Sequence, residues 1–141
     1  KKFKDTQIDW GGPGSREDVI FRLSDTYLLS SEANLGAGNF DMALNRINTL
    51  RRRAAVTPSE RDNMEVSTVD LDFILDERGR ELLGEHDRWF DLKRTGKLID
   101  RAKEYNIFVT KYNNIGNMHL LRPIPQDEIN KVDGLTQNTG Y

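Results

Sequence analysis

The sequence predicts an all-α protein built of helical hairpins, followed by an irregular, loop-rich C-terminal segment. Apolar residues recur at intervals of three, four and seven along most of the chain before Tyr105, which is the period of amphipathic helices. A short glycine-bearing turn separates two of these helical patterns, as in a helical hairpin. Beyond Tyr105 the helical period is lost and asparagine, glycine and proline become frequent, which indicates loops.

The pattern divides the chain into four segments. Residues 1–14 are predicted to form a loop, because glycine and proline in Trp10-Gly11-Gly12-Pro13-Gly14 interrupt regular structure. Residues 15–55 are predicted to form a helical hairpin and residues 67–105 a set of central helices. Residues 106–141 are predicted to be an irregular tail with one short helix. A small β-hairpin or an extended loop is expected at the start of this tail.

The predicted hairpin consists of two amphipathic helices joined by a short turn. Ser15-x-x-Asp18 has the pattern of a capping box, and the first helix is expected to end at Gly36. Asn39 is the candidate N-cap of a second helix that continues toward Ala54. The apolar side of the first helix is predicted to carry Val19, Ile20, Leu23 and Tyr27, with Leu28 and Leu35 on its flank.

The stretch from Leu71 to Arg94 has the strongest helical pattern and is predicted to be a long core helix. Ser67-x-x-Asp70 fits a capping box before it, and Gly84 is the position where we expect it to kink. Because Trp89 lies on the apolar side of this pattern, we expect it to be buried. The apolar side comprises Leu71, Ile74, Leu75, Leu82, Trp89 and Leu92.

Composition excludes several classes of function. The 21 basic and 23 acidic residues give a net charge of −2, so no basic field would attract nucleic acid. The absence of cysteine excludes disulfides, thiolate zinc sites and thiol nucleophiles. No apolar run approaches the roughly 18 residues that a membrane-spanning helix needs. No glycine-rich phosphate loop occurs either, and we expect no cofactor.

Three glutamates raise the question of catalysis. Glu77, Glu81 and Glu85 share one helix face, and a glycosidase needs two carboxyl groups about 5–9.5 Å apart. Arginines interleave with these glutamates, however, so a solvated or ion-paired face is expected and no catalytic residue is assigned. His86 is expected to be a core or edge residue. His119 is the second histidine, and no metal-ligand spacing joins the two, so no metal site is predicted.

Aromatic side chains are the remaining candidates for ligand binding, because the apolar face of a sugar ring packs on them. Trp10 lies in a glycine-rich loop, where binding residues often occur, and is the candidate ligand contact. The aromatic residues from Phe21 to Phe90 fall within helical patterns and are assigned to packing.

Three segments, in the same order along the chain, resemble the SusD/RagB family of surface glycan-binding lipoproteins from Bacteroidetes. The segment from Arg22 to Ala54 is similar to the family's helical hairpin, and ILDERGRELLGEHDRWFDLKRTGKL, from Ile74 to Leu98, is similar to its hallmark helices. Pro123 to Ile129, with Leu135 to Tyr141, resembles its closing segment. Family members are several times longer, so residues 1–141 are expected to be the C-terminal part of such a domain.

The resemblance implies both a fold and a function. It implies helical hairpins of tetratricopeptide-like type, to which Gly38-Asn39-Phe40-x-x-Ala43 is also similar. It also implies non-enzymatic binding of an oligosaccharide at the bacterial outer membrane and delivery to a TonB-dependent transporter. The lipid anchor would then belong to upstream sequence. Two alternatives remain open: a tetratricopeptide-like protein-interaction module and a helical glycoside hydrolase.

Overall fold

A computed structural model describes residues 20–85 and 88–141, and regular structure within these ranges is entirely helical. The predicted all-α class is therefore confirmed. The chain forms two compact units, the first ending at Glu85 and the second beginning at His86. The predicted loop at residues 1–14 and the capping box at residues 15–18 lie outside the described ranges. No helix in the described residues is long and apolar enough to cross a bilayer.

The first unit contains a helical hairpin and a third helix. Helix α1 spans Leu23–Gly36, α2 spans Phe40–Ala54 and α3 spans Leu71–Glu81. Helix α1 packs against both α2 and α3. Two short 3-10 turns, at Pro58–Glu60 and Asp62–Met64, lie in the connection before α3.

The turn between α1 and α2 is closed by backbone hydrogen bonds. The Asn39 N–H donates to the Asn34 carbonyl at 2.8 Å, and the Gly38 N–H donates to the Leu35 carbonyl at 3.1 Å. Gly38 has a φ of 80°, which suits glycine because it has no Cβ. Helix α1 ends at Gly36 as predicted. Asn39 does stand at the N-cap of α2, but its side chain makes no capping hydrogen bond.

Helix α1 differs from its prediction at its start. Residues 20–22 are not helical, so the helix begins at Leu23 and not at a cap near Ser15. Arg22, the residue before the helix, is extended with φ −142° and ψ 162°. Its guanidinium donates hydrogen bonds to Glu81 and Glu85, and these contacts hold Arg22 outside the helix.

The buried face of α1 also differs from the prediction. Leu28 and Ser31 are completely buried, whereas Leu23 is 69% exposed. The Ser31 hydroxyl donates to the Ala43 carbonyl of α2 at 2.8 Å, which satisfies a polar group at the helix contact. Small side chains at this contact allow the two helices to approach closely. The face of α1 that packs against its neighbours is partly polar, because it includes Ser31.

The hydrophobic core of the first unit joins all three helices. Its five buried residues are Leu28, Ile47, Leu50, Ile74 and Leu82. Fully burying one large apolar side chain contributes about 1.5–3 kcal/mol to folding. The partly buried neighbours of the core include Tyr27, Leu35 and Phe73.

The predicted long helix from Leu71 to Arg94 is two separate helices in the structure. Asp70, and not Ser67, is the N-cap of α3, and its carboxylate accepts a hydrogen bond from the Phe73 N–H at 2.7 Å. The helix ends at Glu81, and Gly84 follows with a φ of 80°. A helix cannot continue through this left-handed conformation, so the expected kink at Gly84 is a complete break.

The second unit contains four short helices. Helix α4 spans Arg88–Arg94, α5 spans Leu98–Tyr105, α6 spans Ile107–Tyr112 and α7 spans Gln126–Ile129. A 3-10 turn at residues 117–120 lies between α6 and α7. Trp89 is only partly buried, so the prediction that it is buried is met only in part. That prediction assumed one continuous helical register, which the break at Gly84 interrupts.

The tail is more helical than predicted. Where a hairpin or extended loop was expected, the structure has α6, so the tail contains two α-helices and not one. The Asn106 side chain explains this helix, because its oxygen accepts hydrogen bonds from the Phe108 and Val109 N–H groups. Asn113, with a φ of 44°, ends the helix in the left-handed conformation. Local capping therefore overrides the β propensity of Ile107 and Val109.

The closing segment is held by side-chain hydrogen bonds to the backbone. Gln137 contacts both backbone groups of Ile124: its oxygen accepts from the N–H at 2.8 Å and its amide donates to the carbonyl at 2.9 Å. Asn138 donates to the Arg122 carbonyl at 2.7 Å. The Tyr141 hydroxyl donates to the Leu121 carbonyl at 2.9 Å. The bonds between Gln137 and Ile124 join the two parts of the predicted closing segment, and the other two bonds tie its end to the residues before Pro123.

Candidate functional site

The glutamates of α3 and of the residues after it meet arginines from several parts of the first unit. Arg22 lies 2.8 Å from Glu85, and its guanidinium also contacts Glu81. Arg51 lies 2.9 Å from Glu77. We call this group the arginine–glutamate cluster; its members are Arg22, Arg51, Arg53, Arg80, Glu77, Glu81 and Glu85.

The three glutamates of the cluster are ion-paired, as one interpretation of the sequence expected, but they are not solvated. Their side chains are only 10%, 16% and 13% exposed for Glu77, Glu81 and Glu85. Arg22, which precedes α1, and Arg51 and Arg53 of α2 reach them from other elements, whereas Arg80 lies on α3 itself. The cluster therefore helps to hold the hairpin against α3.

The hydrogen bonds of the cluster favour the ionised form of the Glu81 carboxylate. Burial by itself raises the pKa of Glu81, but hydrogen bonds from Arg22, Ser24 and Arg53 outweigh burial and leave that pKa below its ordinary value. The hydrogen bond to Glu85 raises the pKa of Arg22 against the opposing effect of burial. Glycoside hydrolysis needs a carboxylic acid whose pKa is raised, and Glu81 shows the opposite shift.

A buried ion pair outside the arginine–glutamate cluster was not predicted. Arg78 of α3 lies 2.7 Å from Asp25 of α1, and the two side chains are only 3% and 10% exposed. The charge pattern of a single helix cannot reveal such a pair, because its members lie on different helices.

Three exposed aromatic residues lie within eight positions of one another in the second unit, and none of them was predicted as a ligand contact. Tyr105 is 63% exposed, Phe108 63% and Tyr112 60%. Phe108 and Tyr112 are four residues apart in α6 and therefore share one helix face. We call these three residues the aromatic surface. Three aromatic residues within eight positions, in YNIFVTKY, were the available sequence signal.

Two cations accompany the aromatic surface. The Lys111 ammonium lies 5.1 Å from the centre of the Tyr112 ring, and the Arg101 guanidinium lies 5.8 Å from the centre of the Tyr105 ring. These distances are within the range of cation–π attraction. The contacts restrain the two tyrosine rings while leaving most of their area in solvent.

The remaining candidates from the sequence have different outcomes. Trp10 and His86 lie outside the described residues, so the structure does not test their predicted roles. The Nδ1 atom of His119 accepts a hydrogen bond from the Gly116 N–H at 3.0 Å, which is a local structural contact. In residues 20–85 and 88–141 no group of three or more histidines and carboxylates is arranged to hold a metal ion.

Known proteins similar to this chain agree on its family. The profile of the SusD family matches residues 1–141. SusD-like protein P25 of Formosa agariphila is 35% identical over 132 residues, which is 87% of this chain and 24% of the relative. SusD-like protein P2 of the same organism is 29% identical over 93% of this chain and 27% of its own length.

A solved structure supports the same assignment. A laminarin-binding SusD-like protein superimposes with a TM-score of 0.63 at 31% identity, over 86% of this chain and 23% of that protein. The chain thus spans about a quarter of the length of the relatives it matches. The family profile, the identities and the shared helical fold agree, and the chain belongs to the SusD family.

Proposed function

We propose that this chain is part of a protein that binds an oligosaccharide at the bacterial outer membrane and delivers it to a TonB-dependent transporter. The observation that carries the proposal is the likeness to a laminarin-binding SusD-like protein, with a TM-score of 0.63 over 86% of the chain. The proposal includes surface localisation and attachment through a lipid anchor in upstream sequence. Trp10 remains a proposed ligand contact.

The proposed function is binding without chemistry. The glutamates that could have formed a glycosidase pair are held by arginines, and the pKa of Glu81 is lowered. This geometry disfavours the helical glycoside hydrolase, because a carboxylate fixed in ion pairs is a poor proton donor.

A tetratricopeptide-like protein-interaction module is the second candidate function. The close contact of α1 and α2, in which the buried Ser31 hydroxyl bonds to the Ala43 carbonyl, favours it. A peptide-binding module would capture peptides and show no response to sugars.

The experiment measures sugar binding and hydrolysis with the same 141-residue chain. Calorimetry against laminarin oligosaccharides and a panel of other plant and host glycans should show weak binding, and a reducing-sugar assay should show no release. Capture of peptides without glycan binding would instead favour the interaction module. Sugar release that disappears when Glu77, Glu81 and Glu85 are replaced by glutamine would contradict the proposal of binding alone.

A further inference from the structure

We infer that the aromatic surface formed by Tyr105, Phe108 and Tyr112, together with the amide side chains of Asn106 and Asn113, is an oligosaccharide-binding site. The class of ligand rests on the proposed function, whereas the location rests on the structure of α5 and α6. The site is distinct from the Trp10 candidate in its residues and requires no catalytic group.

The first argument is the concentration of exposed rings. A short helical segment exposes three aromatic side chains, each at 60% or more. Burial of aromatic area is strongly favourable, so the exposure of adjacent rings marks a surface that binds something. Phe40 and Phe90 are comparably exposed, at 62% and 61%, but neither has a second exposed aromatic residue close to it in the described sequence.

The second argument is the presence of unused hydrogen-bonding groups beside the rings. The Asn106 oxygen caps α6, and its amide NH₂ group makes no hydrogen bond within residues 20–85 and 88–141, so it is available to a ligand. Asn113 at the other end of the helix is exposed, and its side chain makes no hydrogen bond within the described part of the chain. The Tyr112 hydroxyl is likewise unengaged there. A neutral donor or acceptor therefore stands at each end of the pair Phe108 and Tyr112.

The third argument is that this chemistry matches a sugar chain. A pyranose has an apolar C–H face that packs on a ring, and its hydroxyl edge pairs with amides and phenols. Lys111 and Arg101 already lie against Tyr112 and Tyr105, which restrains the rings before binding and lowers the entropy cost of ordering them. Phe108 and Tyr112, one helical turn apart, present two rings along the helix, which suits an extended ligand with repeated units.

The test compares sugar binding by the 141-residue chain and five variants of it. Laminarin oligosaccharides and the glycan panel are titrated into the parent, Phe108→Ala, Tyr112→Ala, the double variant of these two, Tyr112→Phe and Phe90→Ala. We expect each alanine change on the aromatic surface to weaken binding about tenfold, because it removes the apolar ring face on which a sugar ring would pack. Tyr112→Phe keeps the ring and should lose less. Phe90→Ala removes an equally exposed ring elsewhere and should bind as the parent does.

Each variant must first be shown to keep its helical circular dichroism and its melting temperature, which is expected because the replaced side chains are exposed. Unchanged sugar affinity in a Phe108→Ala/Tyr112→Ala double variant would overturn the inferred site while leaving the proposed function intact. No binding of any glycan by the parent chain would overturn the inferred site, whereas the proposed function concerns the longer protein of which this chain is a part. Self-association of the parent that Phe108→Ala abolishes would show an interface between copies of this chain, and would also overturn the inferred site.

Discussion

Different interactions stabilise the inside of each of the two units of this chain. The first unit has a contiguous apolar core across three helices, reinforced by ion pairs between them. In the second unit, extended segments near the C-terminus are held by polar side chains that bond to the backbone. The difference shows that one chain can combine core-driven packing with a region organised by directed hydrogen bonds.

One hydrogen-bonding arrangement, a side-chain amide that bonds to both backbone groups of a single residue, occurs in both units. Asn48 bonds to both backbone groups of Val66, accepting from the N–H at 3.0 Å and donating to the carbonyl at 2.9 Å. Gln137 does the same for Ile124 in the second unit. Each side-chain amide supplies one acceptor and one donor to the backbone of a single residue, as a neighbouring β-strand would. Asn48 is only 7% exposed, however, whereas Gln137 is partly buried and closer to solvent.

The largest effect is expected from the core of the first unit. Ile47 is completely buried, so Ile47→Ala should lower the free energy of unfolding by about 2–5 kcal/mol through lost burial and a residual cavity. Ile107→Ala in α6 is the matched control, because Ile107 is 74% exposed and its loss should change stability by about 0.5 kcal/mol or less. Urea denaturation measures both variants. Equal losses would contradict the contrast between a core-driven unit and an exposed helix.

The next effect compares the two bridging amides. Asn48→Ala leaves a partly buried N–H and carbonyl of Val66 without their side-chain partner and should cost about 1–3 kcal/mol. Gln137→Ala should cost less, because water can replace its bonds to Ile124 more easily. Amide hydrogen exchange at Val66 and Ile124 reports the local loss in each variant.

Two further variants control for side-chain shape. Asn48→Asp and Gln137→Glu keep the acceptor oxygen but remove the donor, so only the carbonyl of the bridged residue loses its partner. Each acidic variant should therefore retain more protection of the Val66 or Ile124 N–H than the alanine variant does. A greater loss of protection in Gln137→Ala than in Asn48→Ala would reverse the proposed ranking by burial.

The smallest effect is expected from the arginine–glutamate cluster and depends on pH. The pKa of Glu81 is below its ordinary value of 4.5, so its contribution to stability is present above that value and is lost as pH falls through the lower folded value. Glu81→Gln should therefore cost about 1 kcal/mol at pH 7 and flatten the loss of stability below pH 4.5. Urea denaturation at several pH values measures this. Glu128→Gln, which removes an exposed pair with Lys131, should leave the acid dependence unchanged.

Helical identity and helix ends were largely predictable because they depend on local sequence. Apolar periodicity predicted α1, α2 and α3, and the glycine at position 36 correctly predicted the end of α1. Gly84 was recognised as a weak point of the long pattern, since glycine tolerates a positive φ that other residues avoid. The family resemblance was also visible in sequence and is confirmed.

The candidate site was much less predictable, since ring exposure depends on what surrounds each side chain. Tyr105, Phe108 and Tyr112 were visible in the sequence, but β propensity favoured an extended segment there. A single capping side chain, that of Asn106, turned this segment into a helix that places Phe108 and Tyr112 on one face. Burial of the other helical aromatics could not be judged until the helices were packed.

The sequence by itself determined that α1, α2 and α3 are helical, that α1 ends at Gly36, and that the glutamates of α3 would stand among arginines. Only the tertiary structure decided which face of α1 is buried and which arginine meets which glutamate. The pairing of Arg51 with Glu77 and of Arg78 with Asp25 joins different helices, 26 residues apart in the first case. Periodicity describes one helix at a time, whereas burial and ion pairing depend on the neighbouring helices that surround it.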